Sequence, residues 1–111
     1  MSMINKSGLL EFTGQLVSGS DFWIIPCRDF FALGVGVSGT WSGTIIAEGT
    51  VDGVTWEAVA VTDLAGNTIA SKTTNGAFVV STVGVDSVRV KFSAYTSGTA
   101  VLKGVLNKKN F

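Results

Sequence analysis

Apolar and polar residues alternate along most of this chain with a period of two, which is typical of half-buried β-strands. Residues 9–16 show the pattern first, and residues 30–37 repeat it with large apolar side chains on one side and small residues on the other. This alternation places Phe31 and Leu33 on the core side. No segment keeps a helical period, glycine is frequent and Pro26 is the single proline, so the pattern predicts an all-β chain.

The clearest turn signal lies within residues 39–57, which read GTWSGTIIAEGTVDGVTWE. Asp52-Gly53 fits a two-residue type I′ loop, because both central residues of that loop need positive φ angles, which Asp and Gly tolerate. In this tight register Gly49 lies opposite Trp56 on the apolar face of the hairpin. The sequence therefore predicts that Trp56 is a core residue with room to lie across the sheet.

The same register sets two acidic side chains, Glu48 and Glu57, opposite each other. Like charges in that position destabilise a strand pair by a few tenths to about 1 kcal/mol. Either the loop is longer than two residues or a cation lies between the carboxylates. Calcium needs more oxygen ligands than two side chains supply. The prediction is therefore a charge cluster of Glu48 and Glu57 with Arg89 and Lys91.

A second hairpin is predicted near the end of the chain. Residues 88–106 alternate on both sides of the tripeptide Thr-Ser-Gly at 96–98, and its glycine suits the left-handed position of a three-residue loop. With that loop, Phe92 pairs with Leu102.

The remaining elements are shorter. Residues 68–70 and 77–81 each predict one strand, and residues 84–86 predict a turn. Together the elements favour seven or eight antiparallel strands in two packed sheets, a β-sandwich of jelly-roll or immunoglobulin-like type. A closed barrel is the alternative.

A length of 111 residues predicts one domain. Residues 1–8 lack a periodic pattern, which predicts a loose segment, and they lack the apolar run of a signal peptide. Residues 9–107 are the predicted domain and residues 108–111 are a predicted tail.

Charge and hydrophobicity restrict the partners that we expect. Eight acidic and eight basic residues cancel, so the chain lacks the positive field on which nucleic-acid binding depends. Only 14% of the residues are charged and 46% are hydrophobic, whereas about 25% are charged in typical soluble chains. The longest apolar run, Phe22–Pro26, is far too short to span a membrane. The composition therefore predicts that other protein covers part of the surface.

Two groups of residues are candidates for that contact. The run FWIIP is apolar on both faces, and its proline excludes the middle of a central strand, which predicts an edge strand or a segment wedged against a neighbour. The outer face of residues 30–37 carries only small side chains and permits close approach. The candidate interface residues are Phe22, Trp23, Ile24, Ile25, Ala32, Gly34 and Gly36.

No motif in the sequence predicts catalysis. The chain has no histidine, its carboxylates form no local pair motif and none of its glycine-rich segments precedes a helix. Cys27, the single cysteine, has no histidine to act as its base, so it is interpreted as a small buried apolar residue. We expect no enzyme activity, no cofactor and no bound metal.

Aromatic side chains indicate a second class of function. Trp23, Trp41, Trp56 and Tyr95 could stack on sugar rings, as in a carbohydrate-binding module that attaches to a cell surface. Sugar sites also use several convergent polar side chains, and the sequence does not locate them. Glycan binding is therefore the alternative interpretation.

Two segments, GTWSGTIIAEGTVDGVTWEAV and SVRVKFSAYTSGTAVL, resemble a small β-sandwich module of tailed-bacteriophage structural proteins. The resemblance covers roughly residues 30–106 and implies no catalytic residues. It implies a virion protein, made in the host cytoplasm, that packs with copies of itself and with other capsid, tail or fibre proteins. The residues before the module, 9–30, are then a candidate docking extension.

Overall fold

The computed structural model describes residues 3–5 and 9–108, with the side chains of residues 11–107. Every regular element in this part is a β-strand, which confirms the predicted all-β class, and no helix there is long and apolar enough to cross a membrane. The strands are β1 (Met3–Asn5), β2 (Leu9–Leu16), β3 (Phe22–Pro26), β4 (Phe30–Thr50), β5 (Glu57–Val59), β6 (Val61–Asp63), β7 (Thr68–Ile69), β8 (Gly76–Ser81) and β9 (Ser87–Lys108).

Two long strands, β4 and β9, form the centre of the fold. They pair antiparallel along almost their whole length, from Ala32 opposite Asn107 to Thr50 opposite Ser87. The other strands add to this pair in the order β1-β2-β9-β4-β8-β6-β7, while β3 pairs with β9 and β5 pairs with β4. The predicted separation into two sheets is not confirmed, because all nine described strands belong to one connected antiparallel sheet. No described pairing joins β1 to β7, as the barrel alternative would require.

The sheet has two arms that share the long strands. The first arm contains β1, β2, β6, β7 and β8 together with residues 32–39 of β4 and 100–107 of β9. The second arm contains β3 and β5 together with residues 45–50 of β4 and 87–92 of β9. Register shifts between the two arms leave extra residues on β9, and such bulges bend a strand.

Glycines allow the inner faces of the two arms to approach each other. The indole of Trp23, in the second arm, lies against Gly14 and Gly104 of the first arm, and a Cβ atom at Gly104 would lie 2.7 Å from the ring. The sequence predicted that a glycine leaves space for an indole ring, but the predicted pair, Gly49 and Trp56, was wrong. The indole is that of Trp23, and the glycines are Gly14 and Gly104.

Alternation along the strands identified most of the core correctly. The buried side chains of β4 and β9 are those that a period of two places on the inner face: Leu33, Val35, Val37, Ile45, Ala47, Val88, Val90, Phe92, Ala100, Leu102 and Leu106. Phe31 was predicted to face the core but is 48% exposed. A register shift between Phe30 and Ala32 leaves Phe31 as a bulged residue, which breaks the alternation at that position.

The predicted hairpin at residues 96–98 is wrong, because β9 is one continuous strand. Phe92 pairs with Ile45 of β4 and not with Leu102. Gly98 does adopt a left-handed φ of 87°, but it lies where β9 bends. A left-handed glycine is a signature of certain bulges as well as of three-residue hairpins. Here β4 supplies hydrogen-bond partners on both sides of the glycine, so the chain continues.

The tight hairpin at Asp52-Gly53 is also wrong, and the longer loop that the charge conflict indicated is found. β5 begins at Glu57, and its register sets Ala58 opposite Glu48. A shift of one residue moves each side chain of a strand to the other face. The two glutamates are therefore separated.

Asp52 organises this longer loop. Its Oδ1 accepts hydrogen bonds from the backbone N–H groups of Val54 and Thr55, both at 2.8 Å, and from the hydroxyl of Thr50 at 3.0 Å. The backbone N–H of Gly53 donates to the same hydroxyl. The hydrogen bonds that the Asp52 carboxyl accepts lower its pKa from 3.8 to about 2, and the largest contribution comes from the N–H of Thr55.

The N-terminal region differs from its prediction. Residues 3–5, expected to be loose, form β1, because the free edge of β2 offers hydrogen-bond partners to even a short segment. The rest of the predicted loose segment and residues 109–111 lie outside the described residues. Residues 9–30 are not an added extension, since they supply β2 and β3 and the buried side chains of Leu16, Ile25 and Cys27.

Replacement of Gly98 by alanine is expected to lower the free energy of unfolding by about 2–5 kcal/mol. The left-handed backbone costs about 1–2 kcal/mol, and the new Cβ would clash with the Thr40 carbonyl oxygen and lie 2.7 Å from the Cα of Trp41, which adds about 1–3 kcal/mol. Gly53→Ala is the matched control, because Gly53 has a φ of 81° but nothing within 4 Å of its Cβ position. Urea unfolding of both variants is the measurement. Equal losses of unfolding free energy would contradict close packing around Gly98.

Asp52→Asn is expected to lower the melting temperature at neutral pH, and the difference should shrink in acid. The pKa of Asp52 is lower in the folded chain, so its charged form stabilises the fold above about pH 4 and this stabilisation is lost as the pH falls towards 2. Thermal unfolding of both proteins from pH 6 to pH 2 measures the difference. A difference that stays constant over that range would contradict this role.

Candidate functional site

The outer side of β3 carries two exposed apolar side chains in the second arm. β3 pairs only with β9 among the described strands, so the predicted edge strand is confirmed. Trp23 and Ile25 point into the core, whereas Phe22 and Ile24 alternate with them and are 53% and 45% exposed. Of the four apolar residues of the predicted interface segment, only Phe22 and Ile24 therefore present large apolar surface to the outside of the fold.

A charge cluster lies beside this edge. Arg89 of β9 lies directly opposite Glu48 of β4 and donates its Nε–H to Oε1 of Glu48 at 2.6 Å. The Nζ of Lys91 lies 3.8 Å from the same oxygen. The side chains of Arg89 and Glu48 are only 21% and 15% exposed, so solvent screens their attraction less than at an open surface. Glu57, the fourth predicted member, takes part in no ion pair among the described residues.

Arg89 also fixes two aromatic rings on the outer face. Its guanidinium carbon lies 4.5 Å from the ring centroid of Trp56 and 5.4 Å from that of Phe22. Such contacts contribute about 0.5–1 kcal/mol at exposed sites. Trp56 is therefore not the core residue that the tight hairpin predicted. Phe22 therefore has a ring contact with Arg89 on the outer face of the second arm.

Trp41 and Tyr95 serve the bend between the arms. Their rings lie 5.8 Å and 4.9 Å from that of Phe92. The Nε1–H of Trp41 donates to Oδ1 of Asn75 at 2.7 Å, and the hydroxyl of Tyr95 lies 2.9 Å from the carbonyl oxygen of Gly98. The polar atoms that a sugar site would use are engaged inside the fold, and with Trp23 in the interior the predicted aromatics do not form one platform.

The small residues of the first arm lie on its outer face, as predicted. A Cβ atom at Gly34 or Gly36 would meet only a carbonyl oxygen, at 3.9 Å and 3.8 Å respectively, so the space above both glycines is open. Ala32, the third member, belongs to the same face of β4. An open groove of about 450 Å³ lies beside Gly36, and its walls also include Thr13, Ser38, Gly76, Val101 and Lys103.

The groove walls include Val101, which was not among the interface residues predicted from the sequence. Val101 is 44% exposed although it lies between the buried residues Ala100 and Leu102. A signal was present, because alternation calls for a polar side chain at an outward position and Val101 is apolar.

Cys27 is buried, as interpreted from the sequence. Its Sγ lies 3.7 Å from the carbonyl oxygen of Val85. Burial, and secondarily the negative charge of Asp86, raises the pKa of the thiol to about 11, so it is protonated at neutral pH and a poor nucleophile. Among the residues whose positions are described, no group of three His, Cys, Asp or Glu side chains could hold a metal ion.

No protein-family model and no curated protein sequence matches this chain. Solved structures similar in fold include those of the following two proteins. The SPBc2 prophage-derived protein YomS superposes with a TM-score of 0.65 at 15% sequence identity, over 86% of this chain and 93% of that protein. The PBSX exported protein XepA superposes with a TM-score of 0.68 at 17% identity, over 86% of this chain but only 38% of that protein. The chain thus has the fold of these two proteins.

Glu48→Ala is expected to lower the free energy of unfolding by about 1–3 kcal/mol, because it leaves a largely buried Arg89 without its charge-assisted hydrogen bond. Glu57→Ala is the matched control, and it should change stability by less than about 0.5 kcal/mol because Glu57 is exposed and outside the cluster. Urea unfolding at low salt compares the two. Equal effects would mean that the cluster does not stabilise the fold.

Proposed function

We propose that this chain is a non-enzymatic structural protein of a phage particle, either a capsid decoration protein or a component of the tail or fibre. In this proposal it acts by packing against copies of itself and against other virion proteins. The two arms serve as the two layers of a β-sandwich, and their outer faces are turned towards neighbouring subunits. The chain is made in the host cytoplasm and ends in the virion.

The fold supports the connection to phage. YomS is prophage-derived, and the superposition covers nearly all of that protein. The proposal extends this likeness of fold to a likeness of role, which requires its own test.

The observation that carries the proposal is the exposed apolar row on β3. Phe22 and Ile24 are about half exposed, and they lie on a chain in which only 14% of the residues are charged. Burial of apolar surface contributes about 25 cal/mol per Å². A contact of about 800 Å² per partner therefore offers enough gross stabilisation to exceed the costs of association. Repetition on a symmetric particle multiplies such contacts.

The test is whether the chain is part of the particle. Phage particles from induced cells that encode this chain are purified on a density gradient, washed at high salt and analysed by mass spectrometry and immunogold electron microscopy. We expect the chain in the particle fraction at a fixed ratio to the major capsid protein, with label at one location. Recovery of the chain only in the soluble fraction would contradict the proposal.

A glycan panel, read by quenching of tryptophan fluorescence, distinguishes the carbohydrate-binding alternative. We expect no quenching, because the indole N–H of Trp41 is engaged by Asn75 and the indole of Trp23 is packed inside the fold. Saturable quenching by one glycan, combined with absence from particles, would favour the alternative.

A further inference from the structure

Asn75 and Gly76 form the single Asn-Gly dipeptide of the sequence, and Gly76 begins β8. Both residues are exposed, so water reaches them. The backbone nitrogen of a residue can attack the side-chain amide of an asparagine that precedes it. Glycine favours this attack because it has no Cβ atom to hinder close approach of its backbone. The dipeptide therefore carries the groups that spontaneous deamidation needs.

The side chain of Asn75 is held at both of its polar atoms. Its Oδ1 accepts a hydrogen bond from the Nε1–H of Trp41 at 2.7 Å, and its Nδ2 donates to the carbonyl oxygen of Gly39 at 3.0 Å. These partners lie 34 and 36 residues away in the sequence, on β4 where the arms bend. We call this pair of hydrogen bonds the clamp.

The clamp opposes the reaction through geometry. Attack requires the reacting atoms to lie about 3–3.5 Å apart with their orbitals aligned. The ring that forms folds the Asn75 side chain back on its own main chain, whereas the clamp extends the side chain to β4. The attacking nitrogen is restrained as well, because Gly76 pairs with Val37 in the ladder between β4 and β8. The clamp must therefore open before the ring can close.

We infer that Asn75-Gly76 is a deamidation site that the clamp keeps closed in the folded chain. When the clamp opens, the nitrogen of Gly76 bonds to Cγ of Asn75 and the Cγ–Nδ2 bond breaks. The amide proton of Gly76 leaves with the Nδ2 group as ammonia. Water then opens the cyclic imide at either carbonyl carbon, which gives aspartate or isoaspartate at position 75. No oxidant or reductant takes part, and the site is independent of the proposed function.

Either product weakens the connection between β8 and the bend. A carboxylate at position 75 still accepts a hydrogen bond from Trp41, but it has no N–H to donate to the carbonyl oxygen of Gly39. Isoaspartate adds one carbon atom to the main chain directly before Gly76, the first paired residue of β8. Deamidation is therefore a slow, irreversible change at the region that sets the angle between the arms.

The experiment measures deamidation of the folded full-length protein at mildly alkaline pH. Trp41→Phe opens the clamp, because it removes the N–H donor and keeps an aromatic ring beside Phe92. Val88→Ala is the control for lost stability, since Val88 is buried and lies on β9 in the second arm, away from the clamp. Melting curves establish that each variant is folded and rank their stabilities. Peptide mapping by mass spectrometry locates and quantifies the products.

We expect the wild type and Val88→Ala to deamidate at Asn75 at the same slow rate. Trp41→Phe should react about two- to tenfold faster, which is the factor that corresponds to the loss of one hydrogen bond. The wild type unfolded in urea should react faster than every folded protein, because both hydrogen bonds are then absent. Asn75→Asp, which reproduces one product directly, should melt below the wild type.

An unchanged or lower rate in Trp41→Phe would overturn the inference, since the N–H of Trp41 would then not protect the amide. Equal acceleration in Val88→Ala would also overturn it, because general loss of stability would then control the reaction. A wild type that reacts as fast when folded as in urea would overturn it as well. An unchanged melting temperature in Asn75→Asp would overturn the predicted effect on the bend.

Discussion

The hydrogen-bonded ladder between β4 and β9 is the constraint on which the rest of this structure depends. Each strand exceeds twenty residues, and the ladder continues through three register shifts. Because each long strand has a different outer neighbour along each half, this one pairing positions both arms of the sheet. Inward residues of both halves meet in one core, so the interior of the molecule depends on the ladder remaining in register.

The bend in that ladder has its own packing. A left-handed glycine, two bulges and the rings around Phe92 occupy the region where β9 turns from one arm to the other. The aromatic side chains there have their polar atoms engaged with Asn75 and with backbone carbonyls. Residues that could serve a ligand in another protein therefore maintain the angle between the arms in this one. The outer faces, which this angle orients, are the surfaces that the proposed assembly would use.

The sequence predicted much of the candidate surface and less of how it is built. Of the two predictions for FWIIP, an edge strand or a segment wedged against a neighbour, the edge strand is found, because a proline fits an edge position. Glu48, Arg89 and Lys91 were correctly grouped, but Glu57 is outside the cluster, because the longer loop separates it from Glu48. The stacking of Arg89 on Trp56 and Phe22 was missed, because it depends on a one-residue register shift and on a neighbouring strand that joins from elsewhere in the chain.

The sequence by itself determined the all-β class and most of the inward residues, because side-chain direction in a strand follows from the local period of two. Only the tertiary structure decided which strand each one pairs with. Thr96-Ser97-Gly98 is compatible with a turn or with a bulge. It forms a bulge because β9 pairs with β4 on both sides of it. Asp52-Gly53 is compatible with a short or a longer loop. The longer loop is found, and in its register Glu48 no longer lies opposite Glu57. Register is a property of two strands, so one segment alone cannot determine it.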